Sequence, residues 1–145
     1  MELQPNALES VRRRRDAMRE AMDRLEWAIA RPAASSDWAG MVGHALVDLR
    51  TAHAAHVEEV EGPDGLLTDL VREAPRLSGP IDVLRHDHDL IDGSIGELLA
   101  SSFATHPDET RERITQILGR LVRHRQKGSD LLWEAYGTDI GDASH

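Results

Sequence analysis

The chain has no cysteine. Disulfides, thiolate zinc sites, iron–sulfur clusters and cysteine nucleophiles are therefore excluded, and any metal ion must be held by nitrogen and oxygen ligands. No run of 18 apolar residues occurs, so no segment reads as a membrane span. The start of the chain, Met1-Glu2-Leu3-Gln4-Pro5, lacks the basic-then-apolar order of a signal peptide, and a cytoplasmic location is the expectation. Aromatic residues make up only 3% of the chain, so Leu, Ile, Val, Met and Ala must supply most of the core volume. Gly-rich phosphate loops of the P-loop or dinucleotide type are missing as well. So is a positive charge balance: the formal charge of −9 argues against nucleic acid as a partner, because phosphate backbones reward a basic surface. The basic run Arg12-Arg13-Arg14-Arg15 lies in a helical pattern, where successive residues point in different directions. It reads as a solvated end of a helix and not as one patch.

What is present is the ordinary mixture of a soluble protein, with 40% hydrophobic and 30% charged residues in a chain of 145. That length suits a single domain, residues 1–145, with a genuine core. Four long segments carry apolar residues at 3–4 spacing. The first, about 6–30, has the stripe Leu8, Val11, Met18, Met22, Leu25 and Ile29, with Arg15 in the place that continues the rhythm. The second opens near Ser36-Asp37-Trp38, carries Val42, Leu46, Leu49, His53, His56 and Val60, and breaks at Gly62-Pro63-Asp64-Gly65. A shorter apolar piece, 66–71, follows. The third starts near Pro80 with the seam Ile81, Leu84, His88, Ile91, Ile95 and Leu98. The fourth opens near Pro107-Asp108-Glu109 and runs Ile114, Ile117, Leu121, His124, Gly128, Leu131 and Ala135. Short links favour antiparallel neighbours, so the expected fold is all-α, an antiparallel up-down-up-down four-helix bundle.

Of eight histidines, His53, His56, His88 and His124 fall on inner stripes, whereas His44, His86, His106 and His145 do not. His53 lies 16 residues after Asp37, His124 lies 16 after Asp108, and His88 lies 14 before Ser102. At about 1.5 Å per residue all three sit roughly 21–24 Å from the same end of the bundle. His56 is one turn further on. A lone inward histidine reads as a buried polar side chain bonded to a neighbour. Several at one level need several partners, and a shared metal ion serves all of them at once. His86 and His88 are about 200° apart around a helix and cannot share an ion.

The phrases His53-Ala54-Ala55-His56-Val57-Glu58-Glu59-Val60-Glu61-Gly62-Pro63 followed by Leu66, Arg85-His86-Asp87-His88, and His124-Arg125-Gln126-Lys127 carry a resemblance. Together with the helical pattern, they make nearly the whole chain resemble the hemerythrin-like (HHE cation-binding) family of iron-binding proteins. The resemblance implies histidines from successive helices and bridging carboxylates around two irons, for oxygen binding, redox or sensing chemistry. His56, His88 and His124 match histidine ligand positions, with His53 competing for the second-helix place. The chain departs from the pattern where Val60 stands for a glutamate, Gly128 or Ser129 for a fourth-helix acid, and Arg15 for the first-helix histidine. Glu61 is the acid nearest to serving, provided that the helix widens by one residue before Gly62-Pro63.

The expected metal set is therefore His53, His56, Glu61, His88 and His124. It would hold non-haem iron, mono- or dinuclear, with O2 or another small molecule as guest, in a monomer or homodimer. Whether the chain is an enzyme stays open. Arg15 offers only donors and cannot bind a metal, so it is expected to turn inward and pair with an acid such as Glu61 or with a bound anion. The alternative is a metal-free bundle of the same kind, a regulatory or ligand- or protein-binding module in which Arg15 replaces the charge of the ion.

Overall fold

The structure, a computed structural model, describes residues 5–136, with side chains from residue 9 onward. The side chain of Leu8, and all of His145, thus lie outside what is described. Four long helices account for most of the chain: α1 (Pro5–Ile29), α2 (Trp38–Glu61), α4 (Ser78–Ala100) and α5 (Pro107–Tyr136), with a short α3 (Leu66–Glu73) between α2 and α4. Single 3-10 turns at Pro75–Leu77 and Phe103–Thr105 lead into α4 and α5. The described residues form no strand. None of their helices is long and apolar enough to cross a membrane.

The boundaries follow local chemistry. Prolines open α1 and α5, where a missing N–H costs nothing because the first turn has no acceptor for it. The end of α1 leaves free carbonyls, and Arg111 of α5 donates from Nε to that of Ile29 at 2.8 Å and from Nη2 to Arg31 O just beyond the helix at 2.9 Å. The same guanidinium lies 5.3 Å from the ring of the buried Trp38, which ties the start of α2 to this corner.

Helix α1 packs on α2, α2 on α4, and α4 on α5, while α1 and α5 also touch; α3 lies against α2 and α4. The apolar stripes fill two separate clusters. One joins Met18, Met22 and Leu25 to Leu46 and Leu49, to Ile91 and Ile95, and to Ile114 and Leu121. The other gathers Val11, Val60, Leu84, Leu131 and Leu132 around Leu67, Leu70 and Leu77 from the α3 region. On every long helix the stripe between the clusters turns polar: Arg15, His53, then Asp87 with His88, then His124 with Ser129, all buried. Arg12, Arg13 and Arg14 face solvent, as a helical run of four requires.

The joint after α2 is tight. A Cβ on Gly65 would stand 2.5 Å from the Val60 carbonyl, and one on Gly62 would stand 2.6 Å from Glu58 O, so only glycine fits at either place. Thr68 of α3 donates to the carbonyls of Glu61 and Gly62 at 3.1 and 2.8 Å. These contacts fix the last turn of α2, where Glu61 projects.

Two substitutions test this account by urea unfolding. Gly93→Ala, on an exposed helical position with no atom within 4 Å of the new Cβ, is expected to stabilise the protein by about 0.5–1 kcal/mol. Gly65→Ala is expected to destabilise it by about 2 kcal/mol or more, because the backbone must shift to admit the methyl group.

Candidate metal centre

Three helices bring His56, His88 and His124 together, each offering one nitrogen, and these nitrogens all lie within 4.8 Å of one another. His88 and His124 are almost fully buried. His56 is partly buried, with its Nδ1 sealed from solvent and without a hydrogen-bond partner. The rings meet edge-on or tilted: centroids are 4.6 Å apart for His88 and His124 and 5.5 Å apart for His56 and His88.

Two carboxylates set the tautomers. Glu61 Oε2 lies 2.5 Å from His88 Nδ1, and Asp87 Oδ2 lies 3.3 Å from His124 Nδ1. A carboxylate only accepts, so each Nδ1 carries the hydrogen. In a neutral ring the lone pair is then on Nε2. These two Nε2 atoms face each other at 2.9 Å. Bare lone pairs at that distance repel, so the pair calls for a cation between or beside them, either a proton or a metal ion. Histidine ligands of metals are commonly held in this way, with one ring nitrogen on the ion and the other N–H on a carboxylate.

Each carboxylate is itself held. Lys127 Nζ donates to Asp87 Oδ2 at 3.0 Å, and Arg85 Nε lies 3.7 Å from Glu61 Oε1. Burial raises the Asp87 carboxyl, but its hydrogen bonds from Lys127 and His124 outweigh this and leave it below the usual range. Burial dominates for His53, His56 and His124. It lowers His124 to about 4, helped by His88 and opposed by Asp87, and lowers His53 to about 4. His56 is pushed well below its ordinary value for the same reason.

His53 stands beside the trio and outside it, its ring centroid 5.6 Å from that of His88. It is 1% exposed, and neither ring nitrogen has a hydrogen-bond partner. Leaving such a group unsatisfied costs on the order of 1–3 kcal/mol. Arg15 is buried, as expected, and one of its hydrogen bonds goes to Ser129 on α5, with Nη1 donating to Oγ at 3.1 Å. A cavity of about 70 Å³ opens here, lined by Arg15, His53 and the three histidines and otherwise mainly by apolar side chains, Met18, Met22 and Leu121 among them.

Glu61 reaches the site without a widened helix: Gly62 N still bonds Glu58 O at 3.0 Å, the ordinary α-helical pattern. Its carboxylate reaches the Nδ1 edge of His88 from the end of α2. Sequence reasoning missed Asp87, Lys127 and Ser129. Asp87 precedes a stripe residue by one position, about 100° off the seam, and that offset turns it toward α5. Lys127, three residues after His124, shares its helix face, a spacing that was readable as a possible partner for an acid.

The histidine shifts fix a pH dependence for metal-free protein. An unfolded chain protonates these rings near 6.5, whereas folded His53 and His124 stay neutral down to about 4. Between these values the unfolded state binds more protons, so stability is full above pH 6.5 and falls as the pH drops toward 4. Each ring contributes on the order of 3 kcal/mol to that loss. Urea unfolding of chelator-treated protein from pH 7.5 to 4.5 should show this decline, shallower in His53→Leu; a flat profile would contradict the buried neutral state.

Comparison of the chain with protein-family models, with curated proteins and with solved structures gives no match.

Proposed function

We propose that the chain is a hemerythrin-like, antiparallel up-down-up-down bundle that holds one divalent metal ion, iron first among the candidates, through His56, His88 and His124. The observation that carries this reading is the pair of carboxylates on the Nδ1 edges of His88 and His124, which turns both Nε2 atoms toward one point. Three neutral imidazoles with open positions beside them form a workable non-haem set for a borderline divalent ion. A single ion fits better than two. Glu61 and Asp87 are engaged on the outer edges of the rings, so neither stands where a bridge between two ions belongs.

Contacts between helices support the alternating direction. Arg15 meets Ser129 while Ile29 meets Arg111, so numbers rise along α1 as they fall along α5. The same inversion joins α2 to α4 through Arg50–Asp92 and Glu61–His88, and α4 with the turn after it to α5 through His88–His124 and Phe103–Thr110.

When bound, the ion supplies Lewis acidity and, as iron, a redox couple. The chain's own residues do the rest. Glu61 and Asp87 orient the rings and raise their basicity, Lys127 and Arg85 hold the carboxylates, and the apolar wall limits water near a small guest such as O2. A second reading has its own observation. The 2.9 Å between the Nε2 atoms is hydrogen-bond spacing. Two ligands on one ion stand about 2.8–3.4 Å apart for metal–nitrogen bonds of about 2.0–2.1 Å, from octahedral to tetrahedral angles, so the spacing by itself suits either cation. A proton shared by His88 and His124 therefore also satisfies the pair, in a metal-free regulatory or binding module.

Elemental analysis after anaerobic loading with iron(II) or zinc(II) separates the two. The expected result is one ion per chain, lost in His88→Ala and in His124→Ala. Glu61→Gln and Asp87→Asn should keep the ion but bind it about 10–100-fold more weakly. Metal-free wild type after loading, or full occupancy in both alanine variants, would refute the metal reading.

A further inference from the structure

A second opening lies on the outside, along α4 and α5. It is a groove of about 470 Å³, lined by Ser94 and Glu97 of α4 and by a stretch of α5 that includes Arg113, Gly119, Arg120 and Arg123. Small-molecule sites commonly measure about 300–1,000 Å³. Arg113, Arg120 and Arg123 recur at helical spacing and share one face of α5 with Lys127. Lys127 is engaged by Asp87 of α4 at 3.0 Å. The three guanidiniums are not engaged: among the described residues none has a hydrogen bond or an ion pair, and Glu97 across the groove stands beyond ion-pair distance. Acidic residues outnumber basic ones 26 to 17, so a groove holding three arginines and a single acid runs against the composition. Arg12, Arg13 and Arg14 also lack an acid partner, but they point apart into solvent.

We infer that this groove binds a short polyphosphate chain, free or carried by a nucleotide, through Arg113, Arg120 and Arg123. Each guanidinium fork matches two oxygens on one phosphorus. From Arg113 to Arg123 the stripe runs about 15 Å at about 1.5 Å per residue, so its charges lie in line. Consecutive phosphates also carry their charges in line, whereas a tricarboxylate gathers them around one centre. A long polyanion is disfavoured because it meets the repulsion of the whole chain, of formal charge −9. No aromatic side chain lines the groove, so a base finds no ring to stack on and the phosphates alone are read. Gly119 keeps the floor low: a Cβ there would stand 3.4 Å from Nη1 of Arg123. The groove shares no lining residue with the cavity beside the histidines, so it stands or falls apart from the metal reading.

Calorimetric titration of metal-free protein, dialysed free of chelator, with sodium tripolyphosphate and with sodium adenosine triphosphate tests it at fixed ionic strength. One saturable site per chain is expected, with similar affinity for both ligands. Arg113→Gln, Arg120→Gln and Arg123→Gln should each weaken binding roughly three- to tenfold, and the triple variant should abolish it. Glu97→Gln removes the opposing charge and should tighten binding, an effect that a purely structural role would not give. Gly119→Leu keeps all three arginines but fills the groove, and should also abolish binding. Replacing Arg12, Arg13 and Arg14 together by Gln removes the same charge elsewhere and should leave binding nearly unchanged. No saturable binding to wild type, an equal loss in that last variant, or citrate bound as tightly as tripolyphosphate would overturn the proposal. So would binding of adenosine triphosphate without tripolyphosphate, which places recognition on the nucleoside.

Discussion

The arrangement of the interior depends on one kind of contact, an imidazole N–H given to a carboxylate that is anchored elsewhere. Glu61 holds the ring of His88 and Asp87 holds that of His124. Each contact reaches between helices, so neither forms unless the helices are already in register. The anchoring explains features that look unrelated. The glycines after α2 and the Thr68 hydroxyl fix where Glu61 emerges, and Lys127 offsets the burial of Asp87. A ring held at one nitrogen has a direction at the other, and that direction gives the interior its chemistry.

Such an interior is costly. Buried polar groups weaken a core unless every one finds a partner, and His53 and His56 keep nitrogens without one on the protein. The apolar clusters on either side must offset this. They do so with aliphatic side chains and one fully buried Trp38, in keeping with a chain poor in aromatics. A sequence selected for stability alone would continue the leucine stripe through the layer. The interruption falls at one level on all four long helices, in the layer that holds Arg15, His53, His88 and His124.

Much of the helical architecture was legible because helix formation is local. Pro107, the Gly62-Pro63 break and the 3–4 spacing of apolar residues depend on neighbours in sequence, and the long helices begin and end close to these signals. The same periodicity located His88, His124 and Arg15, since an inward position is an inward position whatever residue fills it. The roles of the acids were not legible in this way. Glu61 lies off the seam and reaches His88 only because it ends its helix, and Asp87 finds His124 across a helix pair distant in sequence. Whether an acid touches an ion or the far nitrogen of a ligand depends on which edge of a ring it meets, and no spacing rule encodes that.

The division of the core has a consequence for how the molecule melts. Cooperative unfolding relies on apolar contact that runs unbroken through a domain, so that loosening one part exposes the rest. Here α3 and the surroundings of Leu70 and Leu77 belong to one half, and the corner of Trp38 and Arg111 to the other. The halves share their helices, but the layer where they meet is polar, and protonating its buried His53 and His124 costs stability in acid. That layer sets whether the chain comes apart as one unit or as two, and a ligand held within it would act as a rivet between them.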